Sequence, residues 1–233
     1  MTEPADSYVS EVRRSLYSDR VGNALKYAAG LHSRQTRKGK DEPYLSHVLQ
    51  VAALIVGYGG NEDQIIAGTL HDAAEDCGGR PRLDEIGHLY GPVVERIVLD
   101  CSDSLTEDPN VKAPWRDRKI AHLEHMREEL HKLTPLVAAC DKIANLTDLV
   151  RDFEAQGEVA LERFNGKSAG TRAYYVSMLA ILAPRVPPAA TKDFCHLLSR
   201  PGADEIEDGH DPIDAFRQRT VSIARRRAST LAD

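Results

Sequence analysis

The chain has 233 residues, of which 42% are hydrophobic and 28% charged, and its formal net charge is −6. Such a length and composition suit one sizeable globular domain, and the negative balance argues against general nucleic-acid binding while leaving room for a local basic pocket. No apolar run approaches the roughly 18 residues of a membrane span, and the polar N-terminus does not read as a signal peptide. The expectation is therefore a cytoplasmic protein with no membrane partner, in which the scattered Cys77, Cys101, Cys140 and Cys195 are reduced thiols.

In chain order the apolar spacing is helical almost throughout. "DSYVSEVRRSLYS" and "GNALKYAAGLHSRQ" come first, and "YLSHVLQVAALIVGYG" follows the polar loop "RQTRKGKDEP". After Gly59 and Gly60, Asn61 is an N-cap with Gln64 at the capping-box position, and nothing interrupts a helix from there to Gly78. Then come "RLDEIGHLY", "GPVVERIVLDCS", "APWRDRKIAHLEHMREEL" and "LTPLVAACDKIANLTDLVRDF", the last with Thr134 as N-cap and Pro135 at the first helical position. "SAGTRAYYVSMLAILAP" and "TKDFCHLLSR" close the body. The spacing predicts an all-α fold of about 8–11 helices. The main domain is taken as residues 1–200, and 201–233 as a charged peripheral helix or partly ordered tail.

"GTLHDAAEDCGG" packs a histidine and three carboxylates into six residues with no cation among them. At 100° per residue, with His71 at zero, Glu75 lies at about 40°, Asp72 at about 100° and Asp76 at about 140°, while Ile66, Leu70, Ala73 and Ala74 cover the opposite arc. Like charges at these spacings repel, and a bound cation removes the conflict. Two further polar residues interrupt apolar helices. His47 is flanked by Leu45, Val48, Leu49, Val51 and Ala52, and Asp141 lies between "LVAAC" and "KIANL", with Asn145 and Asp148 extending its stripe. A buried unpaired carboxylate costs several kcal/mol, so Asp141 needs a cation or a dense hydrogen-bond shell. His47, His71, Asp72 and Asp141 form a two-histidine, two-carboxylate set that suits Mn²⁺ or Fe²⁺ better than zinc, since no thiolate or third histidine is in view.

His47, the His71–Asp72 doublet and Asp141 resemble the H…HD…D pattern of the HD superfamily of metal-dependent phosphohydrolases. With "EPYLSHVLQVA", "TLHDAAED", "YGPVVERIV", "WRDRKIAHL" and "ACDKIANLTDL" in order, residues 22 to 185 look like the hydrolase domain of RelA/SpoT-type alarmone enzymes. The length, with no room for a synthetase domain, is similar to that of the small stand-alone alarmone hydrolases. The resemblance implies an HD-domain helical bundle that removes pyrophosphate from the 3′ position of guanosine tetra- and pentaphosphate, using Mn²⁺ held by His47, His71, Asp72 and Asp141. Glu75 and Asp76 match the family's catalytic acidic pair, with Glu75 the favoured base and Asp76 its partner. Their alternative role is support of His71.

A substrate with at least four negative charges requires local cations. The resemblance assigns them to Arg37 or Lys38, as the loop cation that stacks on the base, and to Arg118–Lys119, with Lys112 nearby. Tyr44, Asn145, Asp148 and Tyr175 complete the implied nucleotide contacts. Two departures bear on the base: Thr147 stands where the family commonly has arginine, and Thr171–Arg172 precede the pocket tyrosine where an acid is common. An adenosine nucleotide with the same 3′-pyrophosphate therefore stays open beside guanosine, as does a homo-oligomer. Other HD phosphohydrolase chemistry (the 2′-phosphate of NADPH, or a nucleotide phosphatase) and a non-catalytic nucleotide sensor are the remaining readings.

Overall fold

The computed structural model describes residues 18–106, 111–128, 130–161 and 167–200. Of the first expected helix only Ser18 falls within them, and the expected tail, 201–233, lies outside. Among the described residues there are ten α-helices, and the only β pairing is one isolated bridge, Thr36 to Pro43. The helices are α1 (Asp19–Leu31), α2 (Leu45–Gly57), α3 (Glu62–Leu70), α4 (Ala73–Asp76), α5 (Gly79–Tyr90), α6 (Pro92–Cys101), α7 (Trp115–Glu128), α8 (Thr134–Gln156), α9 (Lys167–Leu182) and α10 (Pro188–Leu198). The four cysteines are free, and no helix among these residues is long and apolar enough to cross a membrane.

The longest helix, α8, organises the molecule because its two sides feed different cores. Leu136, Val137, Cys140 and Ala144 pack with α1–α6, around Ile55, Ile66, Leu70 and Ile97. Ala138, Ala139, Ile143, Leu146 and Leu149 pack with α7, α9 and α10, around Met126, Met178 and Phe194. Each fully buried Leu, Ile, Phe or Met contributes roughly 1.5–3 kcal/mol by leaving water. Between these apolar sides runs a polar stripe. Asn145, Asp148 and Asp152 fall within about 40° of Asp141 at 100° per residue.

The loop between α1 and α2 is laid along that stripe. Arg37 N–H donates to Glu42 O at 2.8 Å and Tyr44 N–H to Gln35 O at 2.9 Å, closing it into a tight turn with Gly39 at φ 73°. Arg37 NH2 then reaches Asn145 Oδ1 at 2.8 Å and Asp148 Oδ2 at 3.0 Å, and Lys40 Nζ lies 2.6 Å from Asp152 Oδ2. Arg37 and Lys40 are thus fixed by acceptors one helical turn apart.

Helix α3 is buried on every side from Gln64 to Leu70. Asn61 and Gln64 form the expected capping box, at 3.0 Å in both directions. At Gly68 the helix comes so close to α2 that a Cβ would collide with the Ile55 side chain. This approach sets His71 beside His47.

Two local expectations are corrected. The helix expected to run unbroken from Asn61 to Gly78 divides at the site: α3 stops at Leu70, and α4 resumes at Ala73. His71 keeps helical angles (φ −58°, ψ −33°), but Asp72 opens to φ −96°, ψ −5°. The His71 ring donates from Nδ1 to Gly68 O at 2.8 Å, competing for the acceptor that a continuing helix gives to the Asp72 N–H. Thr134, expected as an N-cap, lies inside α8, whose cap is Leu133. Its hydroxyl donates instead to the fully buried Asp100 at 2.8 Å. Asp100 also accepts from Arg96 Nε at 2.8 Å and His131 N–H at 3.0 Å. A carboxylate from α6 that needs partners outweighs the local capping rule.

Candidate metal and catalytic site

Four donors from three directions converge where α2, the α3–α4 turn and α8 meet. His47 Nε2 and His71 Nε2 are 3.3 Å apart, and Asp141 Oδ1 lies 3.3 Å and 3.6 Å from them respectively. Asp72 Oδ2 lies 2.9 Å from His71 Nε2 and 3.6 Å from His47 Nε2. A divalent ion with bonds of about 2.1 Å separates neighbouring ligand atoms by about 3 Å, so His47, His71 and Asp141 fit one, with Asp72 bordering the same centre. The Nδ1–H of His71 is committed to Gly68 O, so Nε2 is the nitrogen that faces the centre.

Both carboxylates are held by further donors as well. Lys142 Nζ donates to Asp141 Oδ2 at 2.5 Å, Asn145 donates to Asp141 Oδ1, and the Tyr44 hydroxyl donates to Asp72 Oδ2. Burial works against ionisation of Asp141, but Lys142 and the two histidines outweigh it and hold the carboxyl well below its usual range. Asp72 is lowered in the same way, by His71 and His47 against burial.

One turn further on, Glu75 and Asp76 diverge. Asp76 Oδ2 accepts from Gln35 Nε2 at 2.8 Å, and Gln35 Oε1 sits 2.6 Å from His32 Nδ1. Glu75 turns to a wall of cations, with Oε1 3.6 Å from Lys112 Nζ and 3.7 Å from Arg118 NH1. The Asp103 N–H donates to Glu75 Oε2 at 3.3 Å. Burial, with the Asp103 and Asp72 charges, pushes the Glu75 carboxyl up to about 7. A carboxyl poised there can accept a proton near neutral pH. Asp76 is raised too, by burial and Asp72, against Gln35 and Lys112.

The family model described as "HD domain" matches residues 24–165, an interval that contains all four converging donors and both acids. The chain belongs to the HD domain family. Within this HD protein, the matching region is 30% identical over 137 residues to the mouse (Mus musculus) guanosine-3′,5′-bis(diphosphate) 3′-pyrophosphohydrolase MESH1, covering 55% of this chain and 68% of that protein. The human (Homo sapiens) MESH1 is 32% identical over 131 residues, with the same coverage. A solved structure described as a metazoan ortholog of SpoT that hydrolyzes ppGpp superposes with a TM-score of 0.62 at 21% identity, over 80% of this chain and 97% of that one. That likeness establishes the fold.

Most of the residues expected from the sequence meet in the HD site. His47, His71, Asp72 and Asp141 form the centre, with Glu75 and Asp76 beside it. Of the two loop cations, Arg37 enters the cluster, with its guanidinium 5.5 Å from the centroid of the Tyr44 ring, whereas Lys38 is exposed. Tyr44, expected at the nucleotide, donates its hydroxyl to Asp72. Arg118 and Lys119 hold the buried Asp103, Lys119 at 2.6 Å. Tyr175 is buried against Tyr174, ring centroids 5.8 Å apart, and burial pushes its hydroxyl up. Thr147 turns its hydroxyl back to Ile143 O on its own helix, 2.8 Å away.

Sequence reasoning missed Asp103, Lys142, Gln35 and His32. Lys142 was within reach, since a cation directly after a buried aspartate is a natural partner. Asp103 and Gln35 lie in non-periodic segments, where nothing in the spacing marks an inward side chain.

Proposed function

We propose that the protein is a metal-dependent hydrolase that removes the 3′-pyrophosphate from guanosine 3′,5′-bis(diphosphate) and the corresponding pentaphosphate, releasing pyrophosphate and a nucleoside 5′-di- or triphosphate. What carries this reading is the juxtaposition of an ion-binding quartet with a raised carboxyl and a cation wall. The similarity to the MESH1 hydrolases supports the same reaction. His47, His71, Asp72 and Asp141 are the proposed ligands, and two nitrogens with two carboxylate oxygens favour Mn²⁺ as the ion.

When bound, the ion supplies Lewis-acid polarisation of the scissile phosphate and lowers the pKa of a water at the site. Glu75 accepts the proton of the attacking water, whose oxygen bonds to the phosphorus next to the ribose. The bond from that phosphorus to the 3′ oxygen breaks, and the 3′ oxygen takes up a proton from solvent as it leaves. Asp76, anchored by Gln35, orients the water beside Glu75. Lys112, Arg118 and Lys119 neutralise charge on the departing pyrophosphate. Arg37, held by Asn145 and Asp148, presents its guanidinium plane to the base, and Tyr175 closes the pocket.

Guanine is proposed as the preferred base on the similarity to the relatives. The missing cation at Thr147 keeps adenine in the comparison. Incubating Mn²⁺-loaded protein with the 3′-pyrophosphorylated guanosine and adenosine nucleotides in parallel tests both points. Pyrophosphate release, faster from guanosine, is the expected outcome. Orthophosphate as the product, or no turnover of either nucleotide, refutes the proposal.

A further inference from the structure

Behind the cation wall lies a carboxylate that the proposed reaction does not use. Asp103 follows α6, and its side chain is only 2% exposed. Arg118 NH1 donates to its Oδ1, and Lys119 Nζ donates to its Oδ2 at 2.6 Å. Its own N–H meets Glu75 Oε2 at 3.3 Å. Arg118 is further fixed by a bond from Nε to Ala113 O at 3.1 Å, and Lys119 lies 5.1 Å from the centroid of the Tyr174 ring. One residue therefore holds two cations of the wall, Arg118 and Lys119, and touches the candidate base.

Arg118 and Lys119 are not sealed from solvent by this pairing: 17% and 21% of their side chains stay exposed. Two cations on one carboxylate also leave a positive charge over. A phosphoryl group arriving beside Glu75 meets donors that already have an anion behind them. Burial opposes the charge on Asp103, but Lys119 and Arg118 overcome it and keep the group far below the ordinary carboxyl range. It is thus a fixed anion throughout the working pH range.

We infer that Asp103 is a positioning residue, a built-in counter-anion that fixes Arg118 and Lys119 beside Glu75 and competes with the phosphates of the substrate for both cations. The inference rests on the proposed function for the nucleotide, but the competition with phosphate stands apart from it.

The test compares metal-loaded wild-type protein with Asp103→Asn and Asp103→Glu. Inorganic phosphate is titrated calorimetrically, and kcat, KM and the pH profile are measured with guanosine 3′,5′-bis(diphosphate). Removing one unit charge next to the anion site should tighten phosphate binding about tenfold in Asp103→Asn. The charge-keeping Asp103→Glu should stay near wild type. KM should fall in parallel with the tighter phosphate binding. Glu75 is faced by the anions Asp72 and Asp103 and by the cations Lys112, Arg118 and Lys119. Losing Asp103 should therefore move the acid limb of the pH profile to lower pH. Unchanged or weaker phosphate binding in a folded Asp103→Asn protein overturns the inference, as does equal tightening in Asp103→Glu. Should Asp103→Asn fail to fold, Asp103→Ser carries the same expectation and the same refutation. If the wild type releases no pyrophosphate, the proposed function fails, while the order of phosphate affinities still decides the role of Asp103.

Discussion

The two halves of the site are built on different principles. The donor quartet is carried by α2, the α3–α4 turn and α8, and its histidines are buried to within 2% of full exclusion from solvent. Its geometry is set by packing: Gly68 lets α3 approach α2, and the two-sided apolar pattern of α8 fixes where Asp141 points. The cation wall is assembled from the segments after α6 and before α7, together with the start of α7. It is held by ion pairs instead: Asp103 with Arg118 and Lys119, and Glu75 near Lys112. A packed site is rigid and specifies its ligand geometry. An ion-paired one can exchange partners when a more highly charged ligand arrives.

Four changes separate these halves, in falling order of effect. Asp141→Ala removes a ligand from the packed half and should abolish metal binding and turnover together; metal content measured by elemental analysis checks it, and an unchanged content would refute the ligand role. Glu75→Gln strikes the boundary between the halves. It should retain the metal while losing roughly 10²–10⁴ in kcat, the range for a positioned proton acceptor; normal rates would remove Glu75 from the mechanism. Tyr44→Phe takes the hydroxyl from Asp72 and should weaken metal affinity by about 10–100-fold, as loss of a ligand's outer partner does; calorimetric titration of the ion measures it.

The fourth is a pH effect. Glu75 must be ionised to accept a proton, and its carboxyl is raised to about 7. Turnover should therefore rise with pH through about 7 and fall about tenfold per unit below it. A profile that stays flat down to pH 5 would contradict this assignment.

Which half could be read from the sequence follows from the same contrast. His47 and Asp141 stand out because their neighbours on regular helices are apolar, so a polar residue at that spacing has to be explained. The His71–Asp72 doublet was visible as a candidate ligand pair, but the break in the helix around it was not. The break depends on His71 Nδ1 finding Gly68 O, a choice made only once the ring is buried. The stripe of Asp141, Asn145 and Asp148 was visible as helical spacing, but the loop cations fitted along it are tertiary facts. Asp103 carried no periodic signal, and its importance appears only when Arg118, Lys119 and Glu75 are brought around it. The resemblance to the alarmone hydrolases supplied Arg118 and Lys119 as a pair, without the carboxylate that holds them.

The most direct test of the central claim is to incubate the Mn²⁺-loaded protein with guanosine 3′,5′-bis(diphosphate) in ¹⁸O-water and analyse the products by mass spectrometry. Attack of water on phosphorus predicts pyrophosphate carrying one labelled oxygen, an unlabelled nucleotide, and no reaction after chelation of the metal. Label in the nucleotide, or release of orthophosphate in place of pyrophosphate, would contradict the account.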